Sequence, residues 1–231
     1  VDTKAWKAWT TAAAVSGLAS VYGPTDREIL DEAKARGSSI LGLFTLRPFP
    51  RAASFYRGEY EMVDYPPLSM LILHGAGRAY ALVVPSMDNG RLFNCFINLA
   101  PLLASIALMV LLRKTAEGAI GWRRALAFWV NPAVLLGAIL GYQDAVFGFF
   151  AVAACLALGK KRMLLGTALV VLSGLLKPQG SLLLPTLGAL LIVEGSLPTL
   201  ARAGLVGLLT AIPVFAPWWA TGHLLSALDG A

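Results

Sequence analysis

Asp144 and Lys177 bracket the segment GYQDAVFGFFAVAACLALGKKRMLLGTALVVLSGLLKPQGSLLLP, Gly141 to Pro185. Each stands at the outer end of an apolar stretch, and the basic turn Lys160-Lys161-Arg162 joins the two stretches. A two-helix hairpin over this segment carries both residues to the same end. Ionisable groups at the boundary of an apolar bundle are costly, so a pair placed there is a candidate site. The carboxylate is suited to capping a helix, or to binding a hydroxyl or a cation. The lysine is suited to neutralising a phosphate as a point charge, or to snorkelling at an interface. Tyr142, Gln143 and Gln179 share the same two turns.

A further carboxylate, Asp2, precedes a helical run that carries Trp6, Trp9 and Ala13 at three-to-four-residue spacing. Helix capping is the simpler reading of such a residue. With a tuned pKa it would also serve as a general base toward an acceptor hydroxyl. The run Asp64-Tyr65-Pro66-Pro67-Leu68 is a stiff corner. Tyr65 is extended because a proline follows it, and the two prolines set up the first turn of a helix. Such a corner is either a rigid bend alone or a means of holding Asp64 or Tyr65 in a cleft.

The elements that must position these groups follow from composition. The 231 residues are 57% hydrophobic and 14% charged, with a mean hydropathy of +0.69. Soluble domains carry about 25% charged residues, so an integral, multi-pass membrane protein is expected. The net charge of +6 does not point to nucleic acid, because the cations cluster in short turns and form no stripe. Cys95 and Cys155 lie within apolar stretches and are expected as small buried core residues. Residues 1–91 read as an outer-face loop region with short and interfacial helices. Residues 92–231 read as a transmembrane helical bundle of about six spans: Leu92–Leu112, Ala125–Leu140, Ala145–Leu158, Met163–Leu176, Ser181–Val193 and Leu197–Trp219. Leu68–Val84 contains His74 and Arg78, one helical turn apart. It is expected to lie at the interface with both on a solvated or headgroup-facing side.

The basic clusters Arg113-Lys114, Arg123-Arg124 and Lys160-Lys161-Arg162 go to the cytoplasmic side by the positive-inside rule. Parity then puts the Tyr142–Asp144 and Lys177–Gln179 turns, with the N-terminal region, on the outer face. The chain begins at Val1 without an initiator Met and ends just after an apolar run, and it is read as a fragment of a longer protein. It contains no phosphate-binding glycine loop, zinc motif, nucleophile elbow or dinucleotide fingerprint. An activated substrate is therefore expected to come from the lipid phase.

Four motifs in order resemble the polyprenyl-phosphate-sugar-dependent membrane glycosyltransferases of the GT-C superfamily, in particular its bacterial mannosyltransferase-like branch. They are Asp2 with Trp9, Gly17 and Tyr22; Asp64-Tyr65-Pro66-Pro67-Leu68; Asn131-Pro132 followed by Gly141-Tyr142-Gln143-Asp144; and Leu176-Lys177-Pro178-Gln179. The eukaryotic glucosyltransferases of the superfamily are more distantly similar. The resemblance implies an all-α, polytopic fold like the GT-C membrane half. It implies inverting transfer of a mannose or glucose from a polyprenyl-phosphate donor to a glycan, lipid or protein acceptor at the outer face of a bacterial plasma membrane. Asp2 would be the catalytic base, Lys177 would bind the donor phosphate, and Asp64, Tyr65, Tyr142, Gln143, Asp144 and Gln179 would line the donor and acceptor cleft. The order Tyr142-Gln143 departs from the family pattern, which weakens the role carried over to Gln143. Membrane lipids are expected partners and nucleic acid is not. No cofactor or metal site is expected, with a divalent cation left open. The alternatives are a membrane transporter or lipid-handling protein without transferase activity, and a scaffold in which Asp2 and Asp144 tolerate substitution.

Overall fold

The computed structural model describes residues 2–15, 18, 66–86, 90–115, 118–140, 142–194, 196–222 and 224–229. Among these residues every regular element is helical. The helices are α1 (Asp2–Val15), α2 (Pro67–Val83), α3 (Arg91–Arg113), α4 (Gly118–Trp129), α5 (Pro132–Ile139), α6 (Asp144–Gly159), α7 (Met163–Leu176), α8 (Leu184–Glu194), α9 (Leu197–Ala220) and α10 (Leu224–Asp229). A 3₁₀ turn, Pro178–Leu183, joins α7 to α8. The chain divides into two compact units: residues 1–97 with 215–231, and residues 98–214.

In the first unit, small residues let α1 lie against α2. A Cβ on Gly77 would sit 2.7 Å from the Thr10 carbonyl oxygen and 2.9 Å from the Ala14 Cβ, so only glycine permits this approach. Thr10 is fully buried, and its hydroxyl donates to the Trp6 carbonyl at 2.6 Å. Pro66 is extended and Pro67 begins α2, as the two-proline corner predicts. Met70, Leu73, Gly77 and Tyr80 form the buried stripe of α2 at helical spacing. His74 departs from expectation. Its Nδ1 lies 2.8 Å from the Ala13 carbonyl, which can only accept, so that nitrogen carries the proton. His74 thus faces α1 rather than sharing a solvated or headgroup-facing side with Arg78. Tyr80 stacks on Phe93 at 4.5 Å and meets Phe96 edge-on at 5.5 Å. Lys7 lies with its ammonium 6.0 Å from the Phe93 ring centre, and burial lowers its pKa from 10.5.

In the second unit, the Ala125–Leu140 stretch is two helices rather than one span. Asn131 caps α5, its side chain accepting from the Ala133 N–H at 2.9 Å, and Pro132 takes the first helical position. That N-cap and N1 pairing starts a new helix and ends α4. Asn98 of α3 donates its side-chain amide to the Ile139 carbonyl, tying α3 to the C-terminal end of α5. Helices α6 and α7 form the expected hairpin. The turn closes by a Schellman arrangement: Arg162 N–H bonds to the Ala157 carbonyl at 2.9 Å and Lys161 N–H to the Leu158 carbonyl at 2.8 Å. Lys161 stands at the left-handed position with φ 57°. Ala154, Leu158, Val170, Leu187, Leu191 and Ala203 form the core of this unit.

Helices α3 and α9 are long and apolar enough to cross a membrane, with 23 and 24 residues. Only a minor part of each helix is buried. Their outward faces carry Leu99, Leu103 and Val110 on α3 and Leu205, Leu208 and Leu209 on α9. Helices α6 and α7 are also apolar but shorter, at 16 and 14 residues. Cys95 and Cys155 are free and exposed, not buried as expected. Helix α6 is apolar on nearly every face, so the sequence does not show which side of it turns inward.

Candidate functional site

The hairpin brings Asp144 and Lys177 together for a simple geometric reason. At about 1.5 Å per residue, α6 and α7 are roughly 24 and 21 Å long, and a tight turn joins them. Their free ends therefore lie at nearly the same level. Asp144 opens α6, and Lys177 immediately follows α7. The Lys177 Nζ lies 2.7 Å from Asp144 Oδ1, an ion pair with a hydrogen bond.

The backbone of Lys177 is held on both sides. It is extended (φ −149°, ψ 141°), and its N–H bonds to the Ser173 carbonyl at 3.1 Å. Its own carbonyl accepts from the Gly180 N–H at 2.9 Å. Gly180 is pressed onto the end of α7, where a Cβ would lie 2.3 Å from the Ser173 carbonyl carbon and oxygen. This contact fixes where the chain leaves α7 and so where the lysine starts.

The two partners differ in exposure: the Lys177 side chain is 15% exposed and that of Asp144 is 56%. Such a half-solvated pair adds no more than about 1 kcal/mol to stability. Its chemical interest is that a mostly buried cation is neutralised by a carboxylate accessible to solvent. Another anion of similar geometry, such as a phosphate, can compete for the same ammonium.

Gln143 adds a second feature. It immediately precedes α6 and is fully buried, and both polar atoms of its amide lack a hydrogen-bond partner among the described residues. Leaving one such buried group unpaired costs about 1–3 kcal/mol. Ser173, one turn before Lys177 on α7, is likewise fully buried, with an unpartnered hydroxyl. Its signal in the sequence was a hydroxyl inside an apolar run, four positions from the lysine.

The other expected residues are distributed as follows. Tyr142 is half-buried, and its N–H bonds to the Gly137 carbonyl at 2.9 Å. Gln179 is exposed in the 3₁₀ turn. Asp2 is the first residue of α1, in the first unit. Asp64 and Tyr65, with Gly17, Tyr22 and Gly141 of the quoted motifs, lie outside the described residues. Among the described residues no three His, Cys, Asp or Glu side chains gather as a divalent cation would require.

No family model, no curated protein and no solved structure matches this chain.

Proposed function

We propose that this chain acts as a multi-pass membrane glycosyltransferase of the GT-C type. It would transfer a hexose, mannose or glucose, from a polyprenyl-phosphate donor to an acceptor at the outer face of the membrane. The observation that carries this reading is the Lys177–Asp144 pair next to Gln143, whose buried amide has no partner among the described residues. The pair supplies a cation for a phosphate, and the amide supplies one acceptor and two donor hydrogens for sugar hydroxyls. The apolar, outward-facing surfaces of α3 and α9 support a membrane setting, where a lipid-linked donor presents its phosphate at headgroup level.

The chemistry divides among the residues as follows. The donor phosphate displaces the Asp144 carboxylate from Lys177, whose ammonium then offsets the charge that develops on the leaving phosphate oxygen. Asp144, released, accepts hydrogen bonds from the sugar or acceptor. The acceptor oxygen bonds to the anomeric carbon with inversion as the carbon–oxygen bond to the phosphate breaks and polyprenyl phosphate leaves; the motif resemblance gives removal of the acceptor proton to Asp2. The role of Asp2 rests on the motif resemblance alone.

The test is transfer of radiolabelled sugar from polyprenyl-phosphate-mannose and polyprenyl-phosphate-glucose by the intact protein in liposomes. Asp2→Asn is expected to abolish transfer while the protein stays folded, and Lys177→Gln to weaken use of the donor. Wild-type transfer by both variants would remove the roles given to Asp2 and Lys177, and no transfer from either donor by the wild-type protein would remove the function. Solute uptake by the same liposomes without sugar transfer would instead establish a transporter.

A further inference from the structure

A second feature lies at the other end of the α6–α7 hairpin. A cavity of about 470 Å³ opens there, within the range of small-molecule sites. Lys114, which follows α3, and Lys160 and Arg162 of the hairpin turn line it. The remaining wall is mostly apolar, and includes Leu156, Leu165 and Leu169. No acidic residue occurs among the described residues of the lining. None of the three cations has an ion-pair partner among the described residues. The neighbouring Arg113 is engaged differently, with its guanidinium 4.5 Å from the centre of the Trp122 ring.

We propose that this cavity holds the headgroup of an anionic phospholipid, with the acyl chains lying along the leucine wall. Three features select that occupant over a free phosphate ion. The charges come from two parts of the chain distant in sequence, so they converge through folding. The wall beneath them is hydrocarbon, which a bare ion leaves unused. The basic turns are those that the positive-inside rule assigns to the cytoplasmic leaflet, where anionic lipids concentrate. The Schellman turn supports the arrangement, because the left-handed Lys161 reverses the chain between Lys160 and Arg162. This site is separate from the Asp144–Lys177 end. It rests on the membrane setting proposed above, but not on sugar transfer.

Native mass spectrometry of the intact protein in neutral detergent tests it, with dioleoyl-phosphatidylglycerol, dioleoyl-phosphatidylcholine and inorganic phosphate as probes. The glycerol lipid is expected to be retained and the choline lipid with the same chains lost. Inorganic phosphate is expected not to displace the lipid. Each of Lys114→Gln, Lys160→Gln and Arg162→Gln is expected to lower retention about fivefold. Removing basic residues can also disturb membrane orientation, so a variant that keeps every charge is needed. Leu156→Trp with Leu165→Trp fills the cavity and is expected to lower retention with orientation unchanged. Equal retention of both lipids, displacement by inorganic phosphate, or undiminished retention in the tryptophan variant would each overturn the proposal.

Discussion

Gly180→Ala is the sharpest test of how Lys177 is positioned. The added Cβ would lie 2.3 Å from the Ser173 carbonyl carbon and oxygen and 2.5 Å from the Gly174 nitrogen. Ordinary contact begins at 3.4 Å, so the 3₁₀ turn and the end of α7 must separate by about 1 Å. The obstructing atoms are backbone, and no side-chain rotation relieves them. Overpacking of this kind costs about 1–3 kcal/mol, and this case belongs at the upper end. Against that, replacing glycine restricts the unfolded chain and returns about 0.4–1 kcal/mol. The net loss is about 2 kcal/mol, or roughly 4–8 °C in melting temperature for a chain of this size. Gly188→Ala in α8 is the matched control, because a Cβ there meets nothing within 4 Å. It is expected to raise stability by about 0.5–1 kcal/mol. The assay is thermal unfolding of both variants in the same detergent. If Gly180→Ala melts with the wild type while Gly188→Ala rises, the turn is not packed on α7 and the support for Lys177 falls with it.

Gly166→Ala should cost less than Gly180→Ala, because its Cβ meets only the side chain of Leu158, at 2.4 Å from Cδ2. Leu158→Ala introduced with it should recover part of the loss, and a double-mutant cycle of melting temperatures should show the coupling. Lys161→Gly should stabilise the hairpin by up to about 1 kcal/mol, because Lys161 holds φ 57°; a lower melting temperature would contradict the turn geometry. Lys7 should make stability rise with pH. Burial lowers its folded pKa from 10.5, so between the folded value and 10.5 the unfolded chain binds the proton and the folded chain does not. Below that window the cost of burying the charge is fully present. Unfolding followed through the alkaline range should show this rise in the wild type and not in Lys7→Met.

The hairpin was legible in the sequence because its determinants are local. Two apolar runs of similar length and a short basic turn leave little choice about which ends meet, and α7 runs from Met163 to Leu176 as read. The break at Asn131-Pro132 was equally local. An asparagine followed by proline is the start signal of a helix, so the single span expected over Ala125–Leu140 divides there. His74 was not legible in this way. Its partner carbonyl, on Ala13, lies across a helix contact that depends on Gly77. A histidine on an apolar run gives no sign of whether it faces a neighbouring helix or a headgroup. The basic turns were read singly, as signals of orientation. That Lys114 shares a cavity with Lys160 and Arg162 depends on how α3 packs beside the hairpin.

Gln143 shows most clearly where sequence reasoning and structural reasoning diverge. Motif order weakened it as a site residue, because Tyr142 and Gln143 stand in an unusual sequence ahead of Asp144. Burial argues the other way. A solvent-facing glutamine would carry little cost, and Gln143→Leu would then be nearly neutral. A fully buried amide with neither end partnered among the described residues carries a desolvation cost. Replacing it with an apolar side chain of similar size should therefore raise stability by about 1–3 kcal/mol. The same substitution should reduce sugar transfer if a sugar hydroxyl is the missing partner. A gain in melting temperature with unchanged transfer would leave the amide a packing fault. A gain in melting temperature with loss of transfer would mark a group kept at a cost to folding because the substrate completes it.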